Sequence, residues 1–351
     1  MTERPRVLRI WAHPPDRPGG AAKAVLGASL AALLLFSALQ GWWILTPASA
    51  LQSASRVVDI PAHRGVLHLA HRLDKAGIIR SPLGFVLLAV ARGSARSLKA
   101  GEYEFPQGAN TVTVLALLEG GKVLQHNLVL QEGYSLTELA RRLEADRLAR
   151  AEDVLRVARD GLFLRTLDVQ ADSLEGYLFP DTYQFVKGMT PEEMLARMVA
   201  RMREQVVPGI LEQAKARGLT LHQLLTLASI IEREAVVQKE MPLISAVFWN
   251  RLRRDMPLQA DPTVQYAVGK GRRALTRADL EVDSPYNTYR RAGLPPGPIA
   301  NPGRAALEAA VQPATVNYLY FVSVDDRNHQ FSTNLRDHNA AVARYRLARA
   351  R

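Results

Sequence analysis

Leu224-Leu225-Thr226-Leu227-Ala228-Ser229-Ile230-Ile231-Glu232-Arg233-Glu234 is an apolar run that closes on acid, base, acid. On a helix at about 100° per residue, Leu221, Leu224, Leu225, Ala228, Ile231 and Ala235 share one apolar face. Glu232 falls inside that face, near Leu225 and Ala228. Arg233 points to the far side, where a solvated residue belongs, and Glu234 lies close to the opposite edge of the apolar arc. A carboxylate on an apolar face must be paired, protonated or opened onto a cleft. A carboxyl kept protonated near neutral pH is what a general acid needs. A structural ion pair with a nearby arginine accounts for the same placement, and spacing alone leaves both readings open.

Composition bounds what surrounds this helix. A chain of 351 residues has room for two or three domains, and 48% hydrophobic residues supply real cores. There is no Cys, which excludes Cys-zinc sites, thiol catalysis and disulfides. The formal charge of +11 suits a polyanionic neighbour: nucleic acid, anionic lipid or an acidic polymer. The arginines are scattered through helical patterns without an aromatic-interleaved basic stripe, and no DNA- or RNA-binding pattern appears, so nucleic acid is not expected as a partner.

Upstream, residues 1–23 are polar, Pro-rich and basic, and Ala24 to Leu45 carries no charge. That run is long enough to cross a hydrocarbon core of ~30 Å, and Trp42 and Trp43 stand at its far end, where aromatic residues favour the interface. The expectation is one retained transmembrane helix with a cytoplasmic 1–23 tail and everything after it exported. A cleaved signal peptide competes, because Ala48-Ser49-Ala50 has the small residues of a cleavage site, but the apolar run exceeds a usual signal core.

Residues 46–62 read as a linker running into a strand at Arg56–Ile60. Residues 63–150 read as an α+β domain. Its helices run from His68 to Ile79, Leu83 to Ala91 and Thr111 to Glu119, and its strands lie near Lys99–Pro106 and Leu124–Leu130. Ser135 with Glu138 forms a capping box for the next helix. This strand, turn and capped helix resembles the opening of a LysM-type module, a small fold that binds N-acetylglucosamine-containing glycans; an ordinary α+β capping box is the favoured reading of the same residues.

Residues 151–351 read as a second, mixed α/β domain. A helical stretch covers 151–170, and an amphipathic helix covers 191–217 behind Pro191. The helix from Glu240 to Arg254 ends in Arg251, Arg253 and Arg254, as a helix C-terminus favours. Leu174 to Phe185 is dense in aromatics, with Glu175 and Asp181 among them. Such a stretch suits a carbohydrate cleft, and it suits a core turn as well. From Pro257 onward Pro and Gly accumulate among Tyr and Asn, which marks loops with preset dihedrals able to present site residues. Leu319 to Thr333 reads as a strand, turn and return strand, and a final helix starts near Arg336.

No HExxH, phosphate-binding glycine loop, Rossmann glycine pattern or nucleophile elbow is present, and His68 with His71 lacks a third ligand. Neither a metal nor another cofactor is expected. An acid-led mechanism outside the membrane is what survives.

Four stretches then carry a resemblance: Leu174–Tyr183 (LEGYLFPDTY), Leu227–Glu234 (LASIIERE), Leu258–Tyr266 (LQADPTVQY) and Tyr286–Gly303 (YNTYRRAGLPPGPIANPG). With Tyr318–Phe321 and Phe331–Asn339 (FSTNLRDHN), they make the chain resemble the endolytic murein transglycosylases, the MltG or YceG-like family. The resemblance implies a tail, one membrane span, a LysM-like subdomain and a catalytic domain. It also implies cleavage within peptidoglycan strands between N-acetylmuramic acid and N-acetylglucosamine, leaving a 1,6-anhydro end, beside the penicillin-binding synthases. The family's catalytic glutamate matches Glu232. One glutamate can serve twice, as acid to the leaving oxygen and then as base to the sugar's own 6-hydroxyl. Glu175 and Asp181 become candidates for orienting it or binding substrate. Gln259, Asp261, Thr263, Tyr286, Asn287 and Tyr289 become candidates for gripping sugar and peptide and steadying oxocarbenium-like charge. Two alternatives stay open: a muramidase-type hydrolase pairing Glu232 with Glu175 or Asp181, and a non-catalytic peptidoglycan-binding scaffold.

Overall fold

The computed structural model describes residues 19–48, 54–61, 65–206, 209–271, 273–325 and 328–349. Most of the expected cytoplasmic tail, and Ser49 and Ala50 of the small-residue triplet, lie outside them. The chain divides into two compact units, Met1–Leu124 and Gln125–Arg351.

The first unit opens with α1 (Gly19–Leu45), whose segment Ala22–Leu45 is long and apolar enough to cross a membrane and is exposed from Ala22 to Leu39. Strand β1 (Arg56–Ile60) follows, then α2 (Val66–Lys75), α3 (Pro82–Ala91), β2 (Gly101–Phe105) and α4 (Thr111–Gly120). The strands pair antiparallel, with Val58 opposite Tyr103. Local chemistry sets the helix ends. The Ser81 hydroxyl accepts the Gly84 N–H before Pro82 opens α3, and Gly121 closes α4 in the left-handed region at φ 62°. Leu73, Ile78, Phe85, Tyr103, Phe105 and Leu115 form its core.

The second unit holds β3 (Gln125–Val129), α5 (Leu136–Ala145), α6 (Ala151–Val157), α7 (Gly161–Thr166), β4 (Thr182–Val186), α8 (Pro191–Val206), α9 (Gly209–Ala216) and α10 (Leu221–Glu234). After a short 3-10 turn at Gln238–Glu240 come α11 (Met241–Leu252), α12 (Asp261–Ala267), α13 (Arg277–Leu280), α14 (Arg304–Val311), β5 (Tyr320–Ser323), β6 (His329–Ser332) and α15 (Leu335–Arg349). Its strands form two antiparallel pairs, β3 with β4 and β5 with β6, and no parallel ladder is found among the described residues. Leu128 stands opposite Tyr183. α10 runs through the middle of the core, packed on α11, α12 and α14.

Several expectations change. The fold is mixed helix and strand, as expected, but the division falls at Leu124/Gln125 and not at 150/151, because β3 takes its partner from residues 182–186. The strand and capped helix singled out at 124–143 therefore belong to the second unit, with both capping-box bonds of Ser135 and Glu138 formed. Residues 151–170 make two short helices, and Asp160 caps the second. The single helix expected over 191–217 is two helices; Pro208, between them in sequence, has no N–H to continue the first. Arg233 is no solvated residue: its side chain is only 7% exposed, and it donates to the Gly133 carbonyl at 3.1 Å. Arg251, at the expected helix end, is likewise buried.

Candidate functional site

Thr220 starts α10 with a capping box, its hydroxyl accepting the Gln223 N–H while the Gln223 side chain accepts the Thr220 N–H. The helix is then buried from Leu224 to Glu232 without interruption, including Thr226 and Ser229. Its polar side chains bind loops. Ser229 Oγ accepts the Ile299 N–H at 3.0 Å, and Glu232 Oε2 accepts the Gly303 N–H at 3.0 Å, just before α14 begins. His222 Nε2 lies 2.7 Å from the Pro296 carbonyl, which can only accept, so Nε2 carries the proton and Nδ1 accepts the Tyr177 hydroxyl at 2.8 Å. The Pro-rich stretch expected to be rigid is thus tied down along α10.

Asn301 completes this scaffold. Its carboxamide accepts the Leu178 N–H at 3.0 Å and donates to the Tyr134 carbonyl at 2.9 Å, while its carbonyl takes the Gly133 N–H. Gly176, at φ 81°, passes so near Pro298 that an added Cβ would sit 2.3 Å from the Pro298 Cβ.

At the C-terminal end of α10, Glu234 is half-buried and its carboxyl accepts no hydrogen bond among the described residues. Burial, and then the nearby Asp261 carboxylate, push its carboxyl up to about 8, with Arg251 pulling the other way. A helix C-terminus also disfavours an anion. Asp261 is exposed at the first position of α12 and accepts the Tyr289 hydroxyl at 2.5 Å. Arg251 is anchored beneath the group. Its Nε donates to the Leu319 carbonyl at 2.8 Å, and its Nη1 donates to the Leu258 carbonyl at 2.8 Å and to Gln259 Oε1 at 3.1 Å. Its guanidinium lies over the Tyr320 ring at 5.2 Å. Gln259 holds a left-handed backbone at φ 51°, a costly conformation for this residue type.

A second acid stands elsewhere in this unit. Glu175 is 5% exposed, accepts the Leu136 N–H at 2.8 Å and hydrogen-bonds Tyr266. Burial pushes its carboxyl up to about 7 against those bonds. The Tyr266 and Tyr286 rings lie 5.0 Å apart. Tyr266 lines a cleft of about 160 Å³ with Glu138, Arg141, Arg233 and Gln265. Glu175 and Tyr286 line another of about 240 Å³ with Asp172, His222 and Pro298.

The sequence-selected residues therefore separate. Asp261, Tyr289 and Gln259 gather around Glu234 and Arg251, whereas Glu175 and Tyr286 gather around Tyr266. Asn287 and Thr263 face inward: Asn287 donates to the Leu280 and Val282 carbonyls and accepts the Tyr289 N–H, and Thr263 is bonded to Ala260 and Thr288. Both shape the loop from within. Asp181 caps the start of β4 and pairs with Arg201 at 2.7 Å on a partly exposed surface. Sequence reasoning missed Arg251, Tyr266 and Asn301. The one signal for Arg251 was an Arg beside two others at a helix end, and for Tyr266 a place inside LQADPTVQY.

The YceG-like family model matches residues 58–344, across both the Asp261 and Glu175 groups. The chain belongs to the YceG-like family. It is 33% identical over 322 residues to the endolytic murein transglycosylase of Bacillus subtilis (strain 168), covering 88% of this chain and 89% of that protein. It is 32% identical over 333 residues to the endolytic murein transglycosylase of Streptococcus pneumoniae serotype 2, covering 86% of this chain and 60% of that longer protein. A YceG-like protein of Listeria monocytogenes, known from a 2.6 Å crystal structure, is 34% identical with a TM-score of 0.59, covering 82% of this chain and 98% of that one.

Proposed function

We propose that this YceG-like protein is a peptidoglycan lytic transglycosylase whose general acid and base is Glu234. It cuts within strands between N-acetylmuramic acid and N-acetylglucosamine. The relatives named endolytic murein transglycosylase support the reaction. The observation that carries the residue assignment is the Glu234 carboxyl, raised to about 8 and unbonded, beside Asp261, Tyr289 and Arg251. A proton held at neutral pH can pass to the leaving glycosidic oxygen. The resulting carboxylate can then take the proton of the 6-hydroxyl as that oxygen closes on the anomeric carbon, which leaves the 1,6-anhydro end and consumes no water. Asp261, exposed and accepting the Tyr289 hydroxyl, would steady the oxocarbenium-like charge.

Glu232, the residue the family resemblance singles out, is the competing choice on the same helix. Its bond to the Gly303 N–H at the start of α14 supports a bracing role. Glu175, Tyr266 and Tyr286 would line a further part of the glycan path, with aromatic faces for sugar rings. Within the same reading α1 anchors the protein in the cytoplasmic membrane with its N-terminus in the cytoplasm, and the enzyme trims nascent strands beside the penicillin-binding synthases. Glycan binding by the LysM-like strand and capped helix belongs to this proposal too.

A muramidase-type hydrolysis is the second reading, favoured by one observation: Glu175 is itself raised to about 7 and offers a second acid. Incubation of wild type, Glu234→Gln and Glu232→Gln with purified sacculi, followed by mass spectrometry, decides among these. Anhydro ends from wild type and Glu232→Gln but not from Glu234→Gln are expected. Loss in Glu232→Gln alone returns the acid role to Glu232. Products one water heavier establish hydrolysis, and binding to sacculi without soluble product establishes a scaffold.

A further inference from the structure

Helix α3 has no polar side chain from Pro82 to Ala91. Gly84, Phe85 and Ala89 are buried in the first unit, while Leu83 (48%), Leu87 (49%) and Val90 (61%) stand exposed at positions i, i+4 and i+7. A helix apolar all round, with one side uncovered, lacks a partner for that side.

The structure also fixes where α3 sits along α1. The Ser81 hydroxyl donates to Gln40 Oε1 at 2.7 Å, and Gly84 lies so close that an added Cβ would stand 3.0 Å from Gln40 Oε1 and 3.1 Å from Ile44 Cγ1. Arg80 donates to the Pro47 carbonyl at 2.7 Å with its guanidinium over the Trp42 ring at 5.8 Å. Asn110 donates to the Leu45 carbonyl at 3.2 Å. Gln40 and Ile44 belong to the apolar segment Ala22–Leu45. Twenty-four residues of helix rise about 36 Å, some 6 Å more than the hydrocarbon thickness. That excess is about one turn, so the last turn of α1 lies at the outer boundary of a bilayer it spans. The start of α3 is clamped to that turn, and an Arg–Trp pair of the kind favoured at such a boundary stands beside it.

We infer that α3 lies in the outer membrane–water interface, with Leu83, Leu87 and Val90 seated among lipid acyl chains. It extends the apolar surface of α1 sideways, so the first unit rests on the lipid surface. The inference rests on α1 being a retained membrane span.

The chain has no Cys, so single introduced cysteines carry a nitroxide label at unique sites. Leu83→Cys, Leu87→Cys and Val90→Cys are compared in the full chain, reconstituted in phosphatidylethanolamine–phosphatidylglycerol vesicles. Leu35→Cys marks the span, and Glu104→Cys on an exposed strand edge marks water. Accessibility to oxygen against a water-soluble nickel complex reads depth. The expected result is an oxygen-to-nickel ratio at all three α3 sites well above that at Glu104 and below that at Leu35. Ratios equal to Glu104 while Leu35 stays lipid-exposed overturn the interfacial seat and leave the anchor standing. A Leu35 site open to nickel refutes the anchor, and the seat falls with it. Spin–spin broadening at α3 that grows with the protein-to-lipid ratio assigns the face to a second copy and overturns the lipid seat.

Discussion

Tyr289 donates its hydroxyl to Asp261 across 2.5 Å, and the carboxylate so held is the charge that opposes ionisation of Glu234. The loop carrying Tyr289 and the helix opened by Asp261 thus act on an acid contributed by neither.

The pH–rate profile should report this arrangement. With Glu234 titrating at about 8, kcat/KM falls as pH rises through that value, because the leaving oxygen loses its proton donor. Asp261→Asn removes the opposing charge and moves this alkaline limb to lower pH. Tyr289→Phe leaves Asp261 with its charge unshared and moves the limb the other way. Sacculus digestion measured from pH 5 to 9 checks both signs.

Stability should depend on pH through the same group. Glu234 has a folded-state pKa raised from 4.5 to about 8, so its contribution is full below pH 4.5 and is lost as pH rises towards 8. The loss is at most about 1.4 kcal/mol per pH unit over that window. Glu234→Gln removes the titration. Thermal melts of the variant and wild type should diverge as pH rises from 5 to 8, with the variant the more stable.

Arg251→Lys should be costly although the charge is kept. An ammonium cannot reproduce the fork that reaches the Leu319 and Leu258 carbonyls and Gln259 Oε1. A loss of about 2–3 kcal/mol in urea unfolding is expected, together with reduced turnover as Gln259 leaves its left-handed conformation.

Gly176→Ala combines a positive φ with a Cβ 2.3 Å from Pro298. It should cost about 2–3 kcal/mol and loosen the Pro-rich loop from the Leu174–Asp181 turn. Faster proteolysis near residues 296–300 is the readout.

Features written in adjacent residues were legible in the sequence. The capping box at Ser135 and the hairpin near 319–333 each depend on side chains within a few positions of one another. Arg251 was illegible because its acceptors, Leu319 and Gln259, reach it only through tertiary packing. The two acids of α10 show the limit of helical periodicity. An apolar-face argument discriminates where one side of a helix meets water, but α10 is buried from Leu224 through Glu232. Position on the wheel then says little about which acid meets a substrate; what distinguishes them is that one binds an amide N–H and the other faces a carboxylate.

The Asn301 tie also bears on how the protein is made. Its carboxamide joins Leu178 and Tyr134, which precede it by 123 and 167 residues. Contacts of such long range close late, since the intervening chain must give up its freedom before they repay it. Most of the second unit must therefore be synthesised before this tie can form, and until then its apolar segments wait without their final partners. Substitutions at Asn301 would be felt first in the yield of folded protein and only afterwards in the rate of any reaction it performs.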